Sequence, residues 1–344
     1  MNTNQSFPKN EIYPVEKDAW RYYLDQPFPG WGTQTLTLFN QPSTTLDRLE
    51  DVDYVVFSVP FDGTASTRQG AKYGPRFIRE ASLSYSSQLT LRGPVRLRNM
   101  RTGALQDVKV PTLVDVGDFH VYPSNPHRQM QATAAETMRA AAQAKHIIML
   151  GGEHSLSFAS FCGLAAARAG QSIGYVQIDH HFDFGNESTI HGPYYHGSNA
   201  RRISEHPSMS LTRMGFVGSG DLTSAKQYDY LIENGVSIRS ISQIRELGFE
   251  SCLRAVLDQV ASEADILYVS IDIDVCDTAT VTGTGHVTVG GITCTEFLSI
   301  ASILHDYPVV ALDIVEVSPA FDPSGATASL VARFLFEWLF LVEV

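Results

Sequence analysis

The chain has 344 residues, enough for one large α/β domain or two ordinary ones. Hydrophobic residues make up 44% and charged residues 18%, which excludes a disordered chain. A net charge of -12 argues against nucleic acid as a partner and mildly favours a small cationic substrate.

Residues 1–50 are rich in Pro, Gly, Trp and Thr and have no clear period. They read as an irregular N-terminal arm ahead of an α/β domain over 51–344. The first twenty residues carry neither an apolar signal core nor an Arg-rich amphipathic pattern. From residue 54 onward, short apolar runs alternate with helical patterns. Strands are expected at 54–59, 112–116, 146–150, 173–178, 213–218, 236–240, 266–271 and 309–314. Most are Val/Ile-rich and do not alternate with polar residues, as in parallel strands buried on both faces. Helices are expected near 75–84, 127–144, 155–169, 222–234, 249–263, 294–305 and 326–341. This succession predicts one α/β domain with helices on both faces of the sheet. The apolar stretch "FLFEWLFLVEV" is too short to span a bilayer, contains Glu337 and reads as a terminal core helix. Cys162, Cys252, Cys276 and Cys294 have no metal-binding spacing and read as reduced core thiols. The expectation is a cytoplasmic protein without a membrane partner.

In such sheets a ligand lies beyond the carboxyl ends of the strands. "GGEHS" with His154 follows the run at 146–150. "DHHFD", holding Asp179, His180, His181 and Asp183, follows 173–178. Asp272 and Asp274 end the run at 266–271, and Glu316 follows 309–314. In an extended segment Asp179, His181 and Asp183 share one face, with His180 and Phe182 opposite. Asp272 and Asp274 repeat that spacing. His154 follows a Gly-Gly turn that lets backbone approach closely.

The sum is two His and four Asp at one sheet edge, and four carboxylates crowded together would repel unless cations neutralise them. Such a donor set suits Mn2+-like ions, and Ni2+ or Zn2+ less specifically. Six side chains are too many for one catalytic ion with an open position. They suit two ions with bridging carboxylates and a bridging water. Taken singly, His154 would more often cap or pack, and Asp272 would more often cap a helix. Together at one edge they point to metal.

These motifs resemble those of the ureohydrolase family, which includes arginases, agmatinases and guanidinobutyrases. "GGEHS" resembles Gly-Gly-Asp-His-Ser, with Glu153 for Asp. "DHHFD" resembles Asp-Ala-His-x-Asp, with His180 for Ala, and "SIDID" resembles Ser-x-Asp-x-Asp. The blocks at 59–82, 115–118, 194–202 and 313–322 are similar too, and "YYHGSNARR" is agmatinase-like. The resemblance implies a three-layer αβα domain around an eight-stranded parallel sheet, assembled as a homo-oligomeric trimer or hexamer. It also implies two divalent ions, Mn2+ first and Ni2+ as the alternative. His154, Asp179, Asp183 and Asp272 would hold one ion; Asp179, His181, Asp272 and Asp274 would hold the other. Asp183 would also steady the attacking hydroxide. Glu316 would bind the planar guanidinium, and His196 would pass a proton to the leaving amine. The reaction would release urea from a small cationic guanidino substrate.

The chain departs from the family at 277–291. Thr278, Thr282 and Val287 stand where prolines are usual, and His286 replaces a Thr at the substrate border. His180, His191 and His286 match no family role and read as pocket-lining or structural; His286, with Glu316 and His196, is expected to contact the substrate. Gly185 and Gly192 stand where arginases carry residues that grip an amino-acid head, which speaks against L-arginine. Agmatine is the first expectation, and a small guanidine, alkylguanidine or biguanide the alternative. Two rival readings are an inactive subunit in a hetero-oligomer with an active homologue, and a single-zinc deacetylase. The intact ligand set, including both His154 and Asp274, weighs against each.

Overall fold

The computed structural model describes residues 36–66, 68–90, 96–100 and 103–343. Most of the expected N-terminal arm, residues 1–35, lies outside them. Among the described residues the strands are β1 Val52–Val59, β2 Arg96–Arg98, β3 Leu105–Val108, β4 Leu113–Asp118, β5 Ala144–Gly151 and β6 Ile173–Ile178. They continue with β7 Met214–Ser219, β8 Ser237–Ser240, β9 Ile266–Asp272, β10 Val309–Val315 and β11 Leu341–Glu343. Eight of them form one sheet in the order β4-β1-β5-β10-β9-β6-β7-β8. Every pairing in it is parallel. All eight expected strands are found there.

Alternate side chains along each strand enter two separate cores. Val56, Ile148, Ile178, Val269 and Leu312 face one core, with helices Phe249–Ala261, Cys294–Leu304 and Ala326–Phe340. Phe57, Met149, Tyr175, Tyr268 and Ala311 face the other, with helices Pro126–Gln143 and Ser155–Ala167. The result is the three-layer αβα arrangement that the strand runs predict. Each fully buried Val, Leu, Ile or Phe contributes about 1.5–3 kcal/mol of hydrophobic stabilisation.

Sequence chemistry starts several helices. Asn125 accepts from the Arg128 N–H at 3.0 Å, with Pro126 at the first helical position. Thr293 and Glu296 form a capping box before Cys294–Leu304. Three helices went unforeseen: Ser86–Thr90, Asn199–Ser204 and Ile241–Leu247. So did a small antiparallel sheet of order β11-β3-β2. The C-terminal helix stops at Phe340, and the chain then pairs with β3 as a strand. Among the described residues no helix is long and apolar enough to cross a membrane.

The topology gathers the expected ligands. β5, β10, β9 and β6 are consecutive neighbours in the sheet. Their carboxyl ends carry His154, Glu316, the Asp272/Asp274 pair and the 179–183 segment. Four adjacent strand ends therefore converge from four distant parts of the sequence.

Candidate metal centre

Close backbone contact positions His154. A Cβ at Gly152 would lie 1.9 Å from the Phe61 carbonyl oxygen, so only glycine allows the turn. The His154 ring is fully buried. Its Nε2 lies 2.9 Å from the Ser270 hydroxyl, and that hydroxyl donates to Asp313 Oδ1 at 2.6 Å. Ser270 has one proton, and Asp313 takes it. His154 Nε2–H therefore donates to Ser270, which leaves the Nδ1 lone pair free.

Nδ1 points into a ring of carboxylates. It lies 2.9 Å from Asp183 Oδ2 and 3.2 Å from both Asp179 Oδ2 and Asp272 Oδ2. Despite these distances, buried Nδ1 has no partner of acceptable hydrogen-bond geometry. It aims at the space between the oxygens, not at any one of them. A lone pair facing three carboxylates is repulsive unless a positive charge sits among them. Burial lowers the His154 pKa, but Asp179, Asp183 and Asp272 outweigh it and raise the pKa well above the ordinary range. A proton and a metal ion are alternative answers to that field. Ligand atoms of His154, Asp179, Asp183 and Asp272 lie within 4.8 Å of one another.

A second set adjoins the first. Ligand atoms of Asp179, His181 and Asp274 also lie within 4.8 Å of one another. His181 Nδ1 is 3.2 Å from Asp274 Oδ2 and 3.5 Å from Asp179 Oδ1. Asp274 Oδ1 is buried without a partner. Burial, then the charge of Asp179, pushes the Asp274 carboxyl up to about 7. Burial, then the charges of Asp274 and Asp179, raises Asp272 well above the carboxylate range. So many carboxylates resist ionising together unless cations join them. The donor set therefore fits two divalent ions, with Asp179 common to both sets. The resemblance assigns Asp272 to both, but here it falls in the first alone; its Oδ1 accepts from the Asp274 N–H at 2.9 Å.

The structure corrects one detail of the expected geometry. β6 ends at Ile178, and residues 179–181 bend instead of continuing extended. Asp183 then adopts φ 47°. Asp179, His181 and Asp183 meet because the chain turns, not because alternate residues share a strand face. Glu316 also has positive φ, at 63°. Non-glycine residues in this region cost of order 1–3 kcal/mol and cluster at functional sites.

A cavity of about 220 Å³ opens over the centre, lined by Ser66, Arg68, Asp183, His196, His286 and Glu316 among others. Glu316 Oε1 accepts from the His154 N–H at 2.9 Å, and its own N–H donates to the Gly152 carbonyl at 2.8 Å. His196 Nδ1 lies 3.6 Å from Glu316 Oε1. His286 packs edge-on against His181 with ring centres 4.8 Å apart. His180 turns away from the cavity and covers Gly220, where a Cβ would lie 2.4 Å from its Nε2. His191 is not among the cavity-lining residues.

Sequence reasoning missed several residues. Glu153 is fully buried and accepts from the Thr64 N–H at 2.8 Å and from the Ser155 hydroxyl at 2.7 Å. Burial, then the charge of Glu316, pushes its pKa up to about 7. Arg68 donates to the Thr284 and Gly285 carbonyls, each at 3.1 Å, and lies 4.1 Å from the Phe321 ring centre. Ser66 contacts His196. All but Glu153 lie in the 59–82 block, which resembles the family as a whole but offers no ligand-like pattern at these positions.

The model of the Arginase family matches residues 52–341. A guanidinopropionase from Pseudomonas aeruginosa is 30% identical over 83% of this chain and 86% of its own length. An agmatinase from Halalkalibacterium halodurans is 30% identical over 83% of this chain and 90% of its own. The solved structure of proclavaminate amidino hydrolase from Streptomyces clavuligerus superposes with a TM-score of 0.74. It is 26% identical, over 89% of this chain and 96% of that one.

Proposed function

The chain belongs to the arginase family, whose characterised relatives hydrolyse guanidino and amidino C–N bonds, and we propose that it releases urea from a guanidino compound at a two-metal site. One observation carries this reading: His154 Nδ1 is aimed, without a hydrogen bond, into three carboxylates that share Asp179 with a second His/Asp set. Two bound divalent ions supply Lewis-acid polarisation and a nucleophile available near neutral pH. Mn2+ is the first expectation and Ni2+ the alternative.

The chain's own groups do the rest. His154, Asp179, Asp183 and Asp272 would hold one ion, and Asp179, His181 and Asp274 the other. Glu316 binds the guanidinium through paired charge-assisted hydrogen bonds. Asp183 accepts a hydrogen bond from the attacking water. His196 gives the Nδ1 proton to the leaving amine.

Agmatine is supported by the "HGSNARR" segment and by similarity to an agmatinase. A compact guanidine, alkylguanidine or biguanide is favoured by the cavity wall. Its carboxylates, Asp183, Asp272, Asp274 and Glu316, all belong to the reacting end. Arg68 pins residues 284–285 beside His286 and adds a cation where a distal ammonium needs an anion. L-Arginine is disfavoured: a side chain at Gly185 would begin 1.9 Å from the Tyr195 hydroxyl, leaving no head-gripping group there.

Steady-state kinetics with agmatine, guanidine, methylguanidine, a biguanide, 3-guanidinopropionate and L-arginine tests the reading. Agmatine with the highest kcat/KM supports the first choice. Guanidine or methylguanidine far above agmatine supports the second. L-Arginine as the best substrate overturns both.

A further inference from the structure

We propose that Ser66 is the positioning residue for His196: its hydroxyl keeps ring atom Nε2 partnered in each protonation state, so that Nδ1 stays turned to Glu316 and the cavity. The inference rests on the reading of His196 as proton donor to the leaving amine.

Ser66 lies in the loop after β1, and that loop is fastened to the metal-bearing turn. Thr64 donates through its N–H to Glu153 Oε2 at 2.8 Å and through its hydroxyl to Glu153 Oε1. Glu153 directly precedes His154. Asp62 Oδ2 accepts from the Gly70 N–H at 2.8 Å, which closes the loop on its far side. Ser66 is therefore held in a loop anchored two residues before it and four residues after it.

Two groups of Ser66 meet one nitrogen. The Ser66 hydroxyl is 2.8 Å from His196 Nε2, and the Ser66 N–H donates to the same atom at 3.2 Å. A backbone N–H can only donate, so this contact calls for a lone pair on Nε2. Glu316 Oε1, 3.6 Å from Nδ1, calls for a proton there. The neutral ring that these two contacts favour is thus the Nδ1–H tautomer. When the ring is cationic, Nε2 carries a proton and the Ser66 N–H opposes it. The hydroxyl then becomes the acceptor, because it alone can reverse its role.

The proton count is closed. The imidazolium Nδ1–H bond breaks and an N–H bond forms on the amine as that amine leaves with the C–N electron pair. The ring keeps its Nε2 proton, held by the Ser66 oxygen. One proton from solvent at Nδ1 restores the cation. The charged or titratable groups facing His196 are Glu316, Asp183 and Glu153, with His286 across the cavity and Tyr195 beside it. Ser66 adds no charge, so its effect is one of hydrogen-bond direction.

The test compares Ser66→Ala with Ser66→Thr in the metal-loaded enzyme. Ser66 is exposed, so both variants fold. Ser66→Ala should keep its metal content and KM, while kcat falls about tenfold, the worth of one hydrogen bond to a charged group. The alkaline limb of its kcat profile should move to lower pH, because the cation loses its acceptor. Ser66→Thr should restore both. Imidazole ¹⁵N shifts of His196 in the metal-free chain, followed against pH, should report the Nδ1–H tautomer at high pH in both proteins, because Ser66→Ala keeps the backbone N–H, and protonation at a lower pH in Ser66→Ala than in the native protein. An unchanged kcat and pH profile in Ser66→Ala, loss of metal, or failure of Thr to rescue overturns the proposal. If the native chain releases no urea from any guanidino compound, the functional reading fails instead, and the ¹⁵N titration still decides whether the Ser66 hydroxyl holds the cationic ring.

Discussion

The backbone N–H of His154 donates to Glu316 Oε1 at 2.9 Å, which joins the turn after β5 to the end of β10. A metal-ligand candidate and the candidate guanidinium anchor are thus held to each other before any substrate arrives. Glu316→Gln keeps an acceptor for that N–H but loses the charge. It should retain bound metal while kcat/KM falls by a factor on the order of 10², the loss of charge-assisted hydrogen bonding. Metal analysis and kinetics on one preparation check this. Loss of metal would mean that Glu316 supports the centre and does not bind substrate.

Asp272→Ala removes one oxygen donor from the His154 set. Bound metal should drop and turnover should disappear. The variant is measured by metal content after dialysis beside urea release. Full metal and full turnover would remove Asp272 from the ligand set.

His196→Ala should leave the metals in place and lower kcat by about 10² to 10⁴, the usual share of a general acid. The wild-type pH dependence follows from its surroundings. Burial lowers the His196 pKa, but Glu316, with Asp183 and Glu153, outweighs it and raises the pKa to about 9. A raised pKa keeps the ring protonated through neutral pH and lets the proton go as pH rises through about 9. kcat should therefore decline above that point. Glu316→Gln should move this limb to lower pH. A limb that stays put would assign it to another group.

The sequence carries the sheet more plainly than its margins. Parallel strands buried on both faces need unbroken apolar runs, and "YVVFSV" or "ILYVSI" has no other reading in this context. β2 is Arg-Leu-Arg, and β11 continues the apolar run of a helix, so neither has a pattern of its own. The helix Ile241–Leu247 is short, and its capping box at Ser240 and Gln243 follows β8 directly. Within the site, His154, Asp179, Asp183 and Asp272 announce themselves because metal chemistry restricts residue types. Ser66, Thr64 and Ser270 act through hydrogen bonds that any hydroxyl could make, so only the three-dimensional contacts reveal them. The positive φ of Asp183 and Glu316 is likewise silent in the sequence.

Away from the cavity, Arg79 tests the packing of the β1–β4 edge. It is buried and forks onto both oxygens of Asp115, at 2.8 and 2.9 Å, while donating to the Ser58 hydroxyl at 2.8 Å. Arg79→Ala leaves the buried Asp115 with the Leu38 and Gly117 N–H donors but no counter-ion, and should destabilise the fold by about 3–5 kcal/mol. Urea-denaturation midpoints report the change. A loss within about 0.5 kcal/mol, as at an ordinary surface site, would mean that water reaches Asp115.

A metal titration reads the two-metal centre without intermediaries. The metal-free chain is reloaded with Mn2+ or Ni2+, and bound ions per chain are counted while urea release from the best guanidino substrate is followed. Activity should rise with metal and reach its plateau at two ions per chain. Full urea release with one ion or none, or no urea from any guanidino compound at two ions per chain, would contradict a two-metal centre.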